Sequence, residues 1–218
     1  MTNEKTRSLK KFEAEQTASF TDQGPPAIDF FSPFGPMIAK TQMPQSLMDR
    51  INHYADQVIS PTEGTESILP ENLVFSGERD SLAHFTANLI DRYLGSIEST
   101  TIDKVKFETF WIVSQYAGTP SPVHFHSGDI SGVLYLKTPQ IENEAHEESL
   151  TYISGRQAGY INFMTGGKQR LSKTLISFKP QVGDFYVFPG WLLHGAEPFR
   201  GTGERRSMAF NAYITAQE

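Results

Sequence analysis

Three of the six histidines, His124, His126 and His194, are spaced in a way that suits a metal ion. In an extended chain residues i and i+2 project from one face. His124 and His126 therefore point together, and Val123 and Phe125 are expected to pack the other way. His194 follows His124 by 70 residues. If the intervening strands close into a barrel, it reaches the pair from the opposite wall, and neutral imidazole is a good ligand for first-row metals. A bare His-x-His is more often a surface or turn pair, so the motif needs support from its surroundings. Arg205 comes 11 residues after His194, and Ser207 shares its strand face. A guanidinium offers a planar fork that matches a carboxylate, and a neighbouring hydroxyl adds a donor. The two read together as a carboxylate clamp beside a metal site. Taken alone, Arg205 reads as a surface ion pair with Glu204 or Glu197. His53 and His84, in a helical region, and His146, in an acidic stretch, look uninvolved.

The elements that must position these groups follow from hydrophobic pattern. In 44–59, Leu47, Met48, Ile51, Tyr54, Ala55 and Val58 form one helical face, with Pro44 in the first turn and Ser60-Pro61 as a stop. In 80–95, Leu82, Phe85, Leu89 and Tyr93 make a second stripe, and Gly95 suits the position just past a helix end. The stretch 60–79 reads as loop. From about residue 103 the texture becomes strand: 107–116, 132–136, 159–164, 174–178, 184–188 and 207–215 are rich in aromatic and β-branched residues. Short strands without intervening helices predict an antiparallel sandwich or barrel. Residues 1–27 are polar and close on Gly24-Pro25-Pro26, which reads as a flexible tail before a single domain over 28–218. Residues 141–149 read as a solvated acidic excursion.

Composition excludes several classes. The formal charge is −6 with no basic run, which argues against a nucleic-acid partner. No cysteine is present, so disulfides, thiolate zinc sites, iron–sulfur clusters and cysteine nucleophiles are absent together. No apolar stretch approaches a membrane span, and Met1 to Gln23 lacks the apolar core of a secretory signal. The expectation is a soluble, cytoplasmic protein with no membrane partner.

The strand-rich half resembles the iron(II)- and 2-oxoglutarate-dependent oxygenases, closest to a bacterial and phage-borne group. The residues that carry the likeness are His124-Phe125-His126-Ser127-Gly128 leading into Gly132–Leu136, then Gly183–His194, then Glu204–Asn211. The likeness implies a mainly β, α+β fold: a double-stranded β-helix, jelly-roll and cupin-like, over 101–218, with N-terminal support helices over 28–100. It implies Fe(II) and 2-oxoglutarate as cofactors and O2 as co-substrate. His124 and His194 match the two histidine ligands. Arg205 and Ser207 match the pair that binds the far carboxylate of 2-oxoglutarate. Tyr135 and Tyr116 resemble tyrosines that contact the cosubstrate, though each reads equally well as a core aromatic.

One departure matters. The wider superfamily has Asp or Glu where this chain has His126, which leaves the metal site one unit more positive. Asp129 is the alternative third ligand, if Ser127-Gly128 reverses the chain. The implied activity is hydroxylation of a small molecule or a protein side chain with release of succinate and CO2. Two rivals stand beside it: a three-histidine cupin-like dioxygenase that uses no 2-oxoglutarate, and a non-enzymatic β-sandwich binding or phage accessory module. Trp111, Phe125, Trp191 and Phe199 are candidate pocket aromatics.

Overall fold

Side-chain alternation along long strands organises the whole architecture. The computed structural model describes residues 27–31, 35–60, 65–97, 102–119, 121–141, 157–167, 170 and 173–216. Apart from Ala27 and Ile141, the expected tail and the acidic excursion lie outside the described residues, as does His146. The chain begins with β1 (Ile28–Phe31), β2 (Ile38–Gln42) and α1 (Gln45–Val58). There follow β3 (Glu66–Ile68), α2 (Glu71–Phe75) and α3 (Leu82–Ile97). Ten strands complete the fold: β4 (Ile102–Gln115), β5 (Ser121–His124), β6 (Ile130–Lys137), β7 (Gln140–Ile141), β8 (Ile161–Met164), β9 (Leu175–Phe178), β10 (Asp184–Pro189), β11 (Leu193–Ala196), β12 (Gly201–Thr202) and β13 (Arg205–Ala216).

Seven strands form a major sheet in the order β1-β2-β10-β6-β13-β4-β3, and four form a minor sheet, β5-β11-β8-β9. The pairings in both are antiparallel. This is the expected double-stranded β-helix. Phe163 of the minor sheet packs against Tyr186 and Phe188 of the major sheet, with ring centroids 6.3 and 4.9 Å apart. These rings fill the space between the sheets next to His194, with Phe188 also lining the cavity.

The helices cover the opposite face of the major sheet. Leu47, Ile51 and Ala55 of α1 and Phe85, Leu89 and Ile90 of α3 pack in one core with Ile112, Leu134, Phe185, Met208 and Phe210. The alternate residues Trp111, Val133, Tyr135, Ser207 and Ala209 turn inward and line a cavity. Each long strand thus serves the helix core with one parity and the cavity with the other.

Several boundaries differ from the pattern-based reading. Helix α3 starts where the Ser81 hydroxyl accepts the His84 N–H at 3.1 Å, and it runs through Gly95 to Ile97. The stretch read as loop contains β3 and α2. Strand β3 exists because the edge of β4 recruits it, with Glu66 opposite Val113 and Ile68 opposite Trp111. Strands β2, β5 and β11 are short and were not legible as β. Among the described residues no helix is long and apolar enough to cross a membrane.

Arg206 ties the helices to the barrel. It lies on the helix side of β13, and its Nε and Nη2 donate to Glu204 Oε1 and Oε2 at 2.7 and 3.0 Å. Its Nη1 reaches Asp56 Oδ1 at 2.7 Å and Asn52 Oδ1 at 3.1 Å, both on α1. Glu204 also accepts from Ser114 Oγ at 2.8 Å and Lys137 Nζ at 3.1 Å. The Arg206 hydrogen bond holds the Asp56 carboxyl below its ordinary range. Burial alone would raise Glu204, but the bonds from Arg206, Ser114 and Lys137 outweigh it and bring that carboxyl down as well. A carboxyl whose folded pKa is depressed stabilises the fold above its unfolded value, 3.8 for Asp56 and 4.5 for Glu204, and that stability is lost as pH falls through the folded value. With Asp56 still paired to Arg206, removing the charge of the partly buried Glu204 costs about 1.5–3 kcal/mol, the range for a hydrogen bond to a charged group. Glu204→Gln is therefore expected to lower stability by about that amount at neutral pH and to flatten the loss of stability on acidification. Thermal melts across the acid range check both. An unchanged melting temperature would contradict this role for the pair.

Candidate metal centre and its anion pocket

Pairing of β5 with β11 sets His124 directly across from His194. The three histidines form one group whose ligand nitrogens all lie within 4.8 Å of one another. Ring centroids are 4.4 Å apart for His124 and His194, 4.9 Å for His124 and His126, and 5.1 Å for His126 and His194. Nδ1 of His124 lies 2.7 Å from the Pro122 carbonyl, and Nδ1 of His194 lies 2.8 Å from the Leu192 carbonyl. A carbonyl only accepts, so each Nδ1 carries the proton and each Nε2 keeps its lone pair for a metal. Burial pushes His126 down to about 4, helped by the neighbouring charge position at His124. Burial likewise pushes His194 down to about 4, against the Leu192 hydrogen bond. Both rings are neutral near pH 7, the state that ligation requires. Donor type, tautomer and protonation together fit a first-row divalent metal.

His126 reaches the group by a different route from the one its spacing suggested. Strand β5 ends at His124, and Val123 and Phe125 are 54% and 65% exposed rather than packed. Two other contacts place His126. Its N–H donates to the Gly190 carbonyl at 2.8 Å, and its ring meets the edge of Trp111 at 5.6 Å. Gly190 N–H in turn donates to the Asp129 carbonyl at 2.9 Å, so two loops are stitched together. This close approach requires glycine. A Cβ on Gly190 would collide with the Gly128 carbonyl oxygen, and one on Gly128 would sit 2.9 Å from the Ala212 carbonyl oxygen. Asp129 is not in the histidine group. Its Oδ2 accepts the Ile214 N–H at 2.9 Å, which fastens the loop to β13.

The histidines open onto a cavity of about 370 Å³, a size that suits a small ligand. Arg205 forms its deep wall and is 2% exposed. Its Nε and Nη2 donate to Gln115 Oε1 at 3.0 and 2.8 Å, and its Nη1 donates to the Glu197 carbonyl at 2.7 Å. Phe199 packs under the guanidinium at 5.6 Å. The surface ion pair with Glu204 or Glu197 is not formed: Glu204 binds Arg206, and the Glu197 carboxylate accepts from Asn162 Nδ2 at 2.7 Å. Among the described residues no carboxylate is shown hydrogen-bonded to Arg205, although the Glu197 charge acts on it from farther off. Burial pulls its pKa below the usual value, although a guanidinium remains protonated. Ser207 and Tyr135 line the same cavity and face each other across β13 and β6. Burial drives the Tyr135 phenol well above its ordinary range, so it is a neutral donor.

Some expected residues lie elsewhere. Tyr116 falls past the end of β4 and does not line the cavity, where the preceding residue, Gln115, does. Trp111 is in the wall and Phe199 supports Arg205, but Phe125 and Trp191 are mostly exposed. Pattern reading missed Gln115, Gly190 and the exposed Glu66 at the cavity mouth. The glycines had a legible signal in Ser127-Gly128 and Pro189-Gly190. Gln115 had none.

The site thus sets three clustered histidines beside a buried arginine inside a double-stranded β-helix. Residues 109–211 match the family model described as "Putative 2OG-Fe(II) oxygenase". No curated protein matches the sequence. Among solved structures, a viral collagen prolyl hydroxylase from Paramecium Bursaria Chlorella virus-1, in complex with 2OG, is similar at 17% identity. It covers 80% of this chain and 94% of its own, with a TM-score of 0.52. A Pseudomonas putida prolyl-4-hydroxylase is 12% identical over 81% of this chain and 91% of its own, also at 0.52. HygX from Streptomyces hygroscopicus, with nickel and 2-oxoglutarate bound, is 10% identical over 84% of each chain at 0.51. At these identities the likeness establishes the fold.

Two substitutions test the placement of His126. Gly190→Ala is expected to part the two loops and weaken metal binding while the barrel still folds, as read by metal titration beside circular dichroism. His126→Ala is expected to reduce iron binding far more than Asp129→Ala, because only His126 stands in the nitrogen group. The reverse order would restore the carboxylate as third ligand.

Proposed function

We propose that this chain is a non-haem Fe(II)- and 2-oxoglutarate-dependent dioxygenase that hydroxylates a small molecule or a protein side chain. His124, His126 and His194 hold the iron. Arg205 and Ser207 receive the far carboxylate of 2-oxoglutarate, and Tyr135 stands beside them as a neutral donor. The overall change balances as substrate C–H, 2-oxoglutarate and O2 giving substrate C–OH, succinate and CO2. Bound iron(II) and 2-oxoglutarate supply oxygen activation and the oxidising power. The chain's own residues bind, orient and shield. The Pro122 and Leu192 carbonyls hold two imidazoles with Nε2 inward. The inward aromatics Phe163 and Phe188 pack against His194 at 6.2 and 4.7 Å and keep water from that side.

One observation carries the proposal: a buried guanidinium with no carboxylate hydrogen-bonded to it, in the same cavity as three clustered histidines. An uncompensated buried charge is strongly unfavourable. A ligand carboxylate supplies the missing charge. A three-histidine dioxygenase without 2-oxoglutarate has no use for that feature.

Iron-loaded protein given 2-oxoglutarate and oxygen is expected to release succinate slowly even without its own substrate. Arg205→Lys keeps the charge but loses the planar fork, so 2-oxoglutarate affinity is expected to fall by roughly 1.5–3 kcal/mol. Iron affinity should barely move. A folded, iron-loaded chain that forms no succinate would contradict the proposal and favour the 2-oxoglutarate-independent dioxygenase or the binding module.

A further inference from the structure

We infer that Gln115 is a positioning residue that sets the cavity's selectivity for ligands ending in a carboxylate. This rests on the proposal that Arg205 receives the far carboxylate of 2-oxoglutarate. Gln115 lies on β4 directly opposite Arg205 on β13, and both are buried. One amide oxygen accepts from Nε at 3.0 Å and from Nη2 at 2.8 Å, which fixes the plane of the guanidinium. The Glu197 carbonyl takes a proton of Nη1 at 2.7 Å. A guanidinium has five N–H donors. With three engaged, one remains on each terminal nitrogen, a pair suited to a single carboxylate.

The neutrality of Gln115 matters as much as its geometry. A glutamate here would be isosteric and would accept the same two hydrogen bonds. It would also cancel the charge of Arg205 and repel an incoming anion. Glu197 follows the same logic: it offers Arg205 its backbone oxygen while its carboxylate binds Asn162. The pocket therefore satisfies the donors of Arg205 without spending its charge. A 2-oxo acid with a terminal carboxylate uses that charge, and one with a terminal methyl does not.

The test compares 2-oxoglutarate with 2-oxopentanoate, which has the same chain length but ends in methyl. Binding is measured on the full chain loaded with Fe(II), without oxygen. Wild type is expected to prefer 2-oxoglutarate. In Gln115→Glu its affinity for 2-oxoglutarate should fall roughly ten- to a hundredfold, the range for a lost charge-assisted hydrogen bond. Affinities for 2-oxopentanoate and for Fe(II) should change by no more than about twofold, as expected where no charged contact is altered. Gln115→Met keeps the volume and leaves the charge of Arg205 intact but unaimed, so its loss of preference should be real and smaller. Should Gln115→Glu fail to fold, full preference in folded Gln115→Met overturns the inference. So does wild-type preference in folded Gln115→Glu, an equal loss for both oxo acids, or a larger effect in Gln115→Met than in Gln115→Glu. A wild-type chain with no preference would instead remove the cosubstrate proposal, and this inference with it.

Discussion

A guanidinium buried among neutral groups constrains everything around it. Arg205 is almost fully removed from solvent, and its partners in the structure are an amide oxygen and a backbone carbonyl. Hydrogen bonds to neutral oxygens satisfy donors but leave charge. The surrounding strands tolerate this because each contributes one element: β4 brings Gln115, β13 brings Arg205 and Ser207, and β6 brings Tyr135. With the proposed iron bound, the histidine group would add to the imbalance. Three imidazoles bring no negative charge to a divalent ion, whereas a carboxylate ligand would offset one unit. A dianion that touches both the ion and Arg205 suits this field better than a neutral ligand does.

Arg205 and Arg206 show how one strand serves two tasks. Adjacent residues on β13 face opposite sides of the sheet, so neighbouring guanidiniums meet opposite electrostatic surroundings. Arg206 meets two carboxylates and fastens α1 to the barrel. Arg205 is shown hydrogen-bonded to no carboxylate among the described residues. A slip of one position in the pairing of β13 would exchange these roles and place the paired arginine in the cavity. The helix core guards against that slip, because Met208 and Phe210 are buried on the side of Arg206.

Much of this was legible in the amino-acid order because it depends on local pattern. The helical stripes around Leu47 and Phe85 and the dense strands at 107–116 and 207–215 announced the fold. His124, His126, His194 and Arg205 stood out by type and spacing. What was hidden depends on pairing across long separations. Gln115 gains its meaning only from lying opposite Arg205, 90 residues on. Strand β3 is polar and short, and it forms only because β4 offers an edge. His126 was singled out for a shared strand face, yet a backbone bond to Gly190 and the ring of Trp111 place it. Tyr116 seemed as good a pocket tyrosine as Tyr135, but strand parity turns Gln115 inward instead.

The account stands or falls on whether the histidine group and Arg205 belong to one binding site. Anaerobic titration of the protein with Fe(II), with and without 2-oxoglutarate, tests this directly. The predicted result is one iron per chain, tighter when 2-oxoglutarate is present, with a weak visible charge-transfer band that appears only when both are bound. Iron binding that is indifferent to 2-oxoglutarate and never develops the band would contradict it.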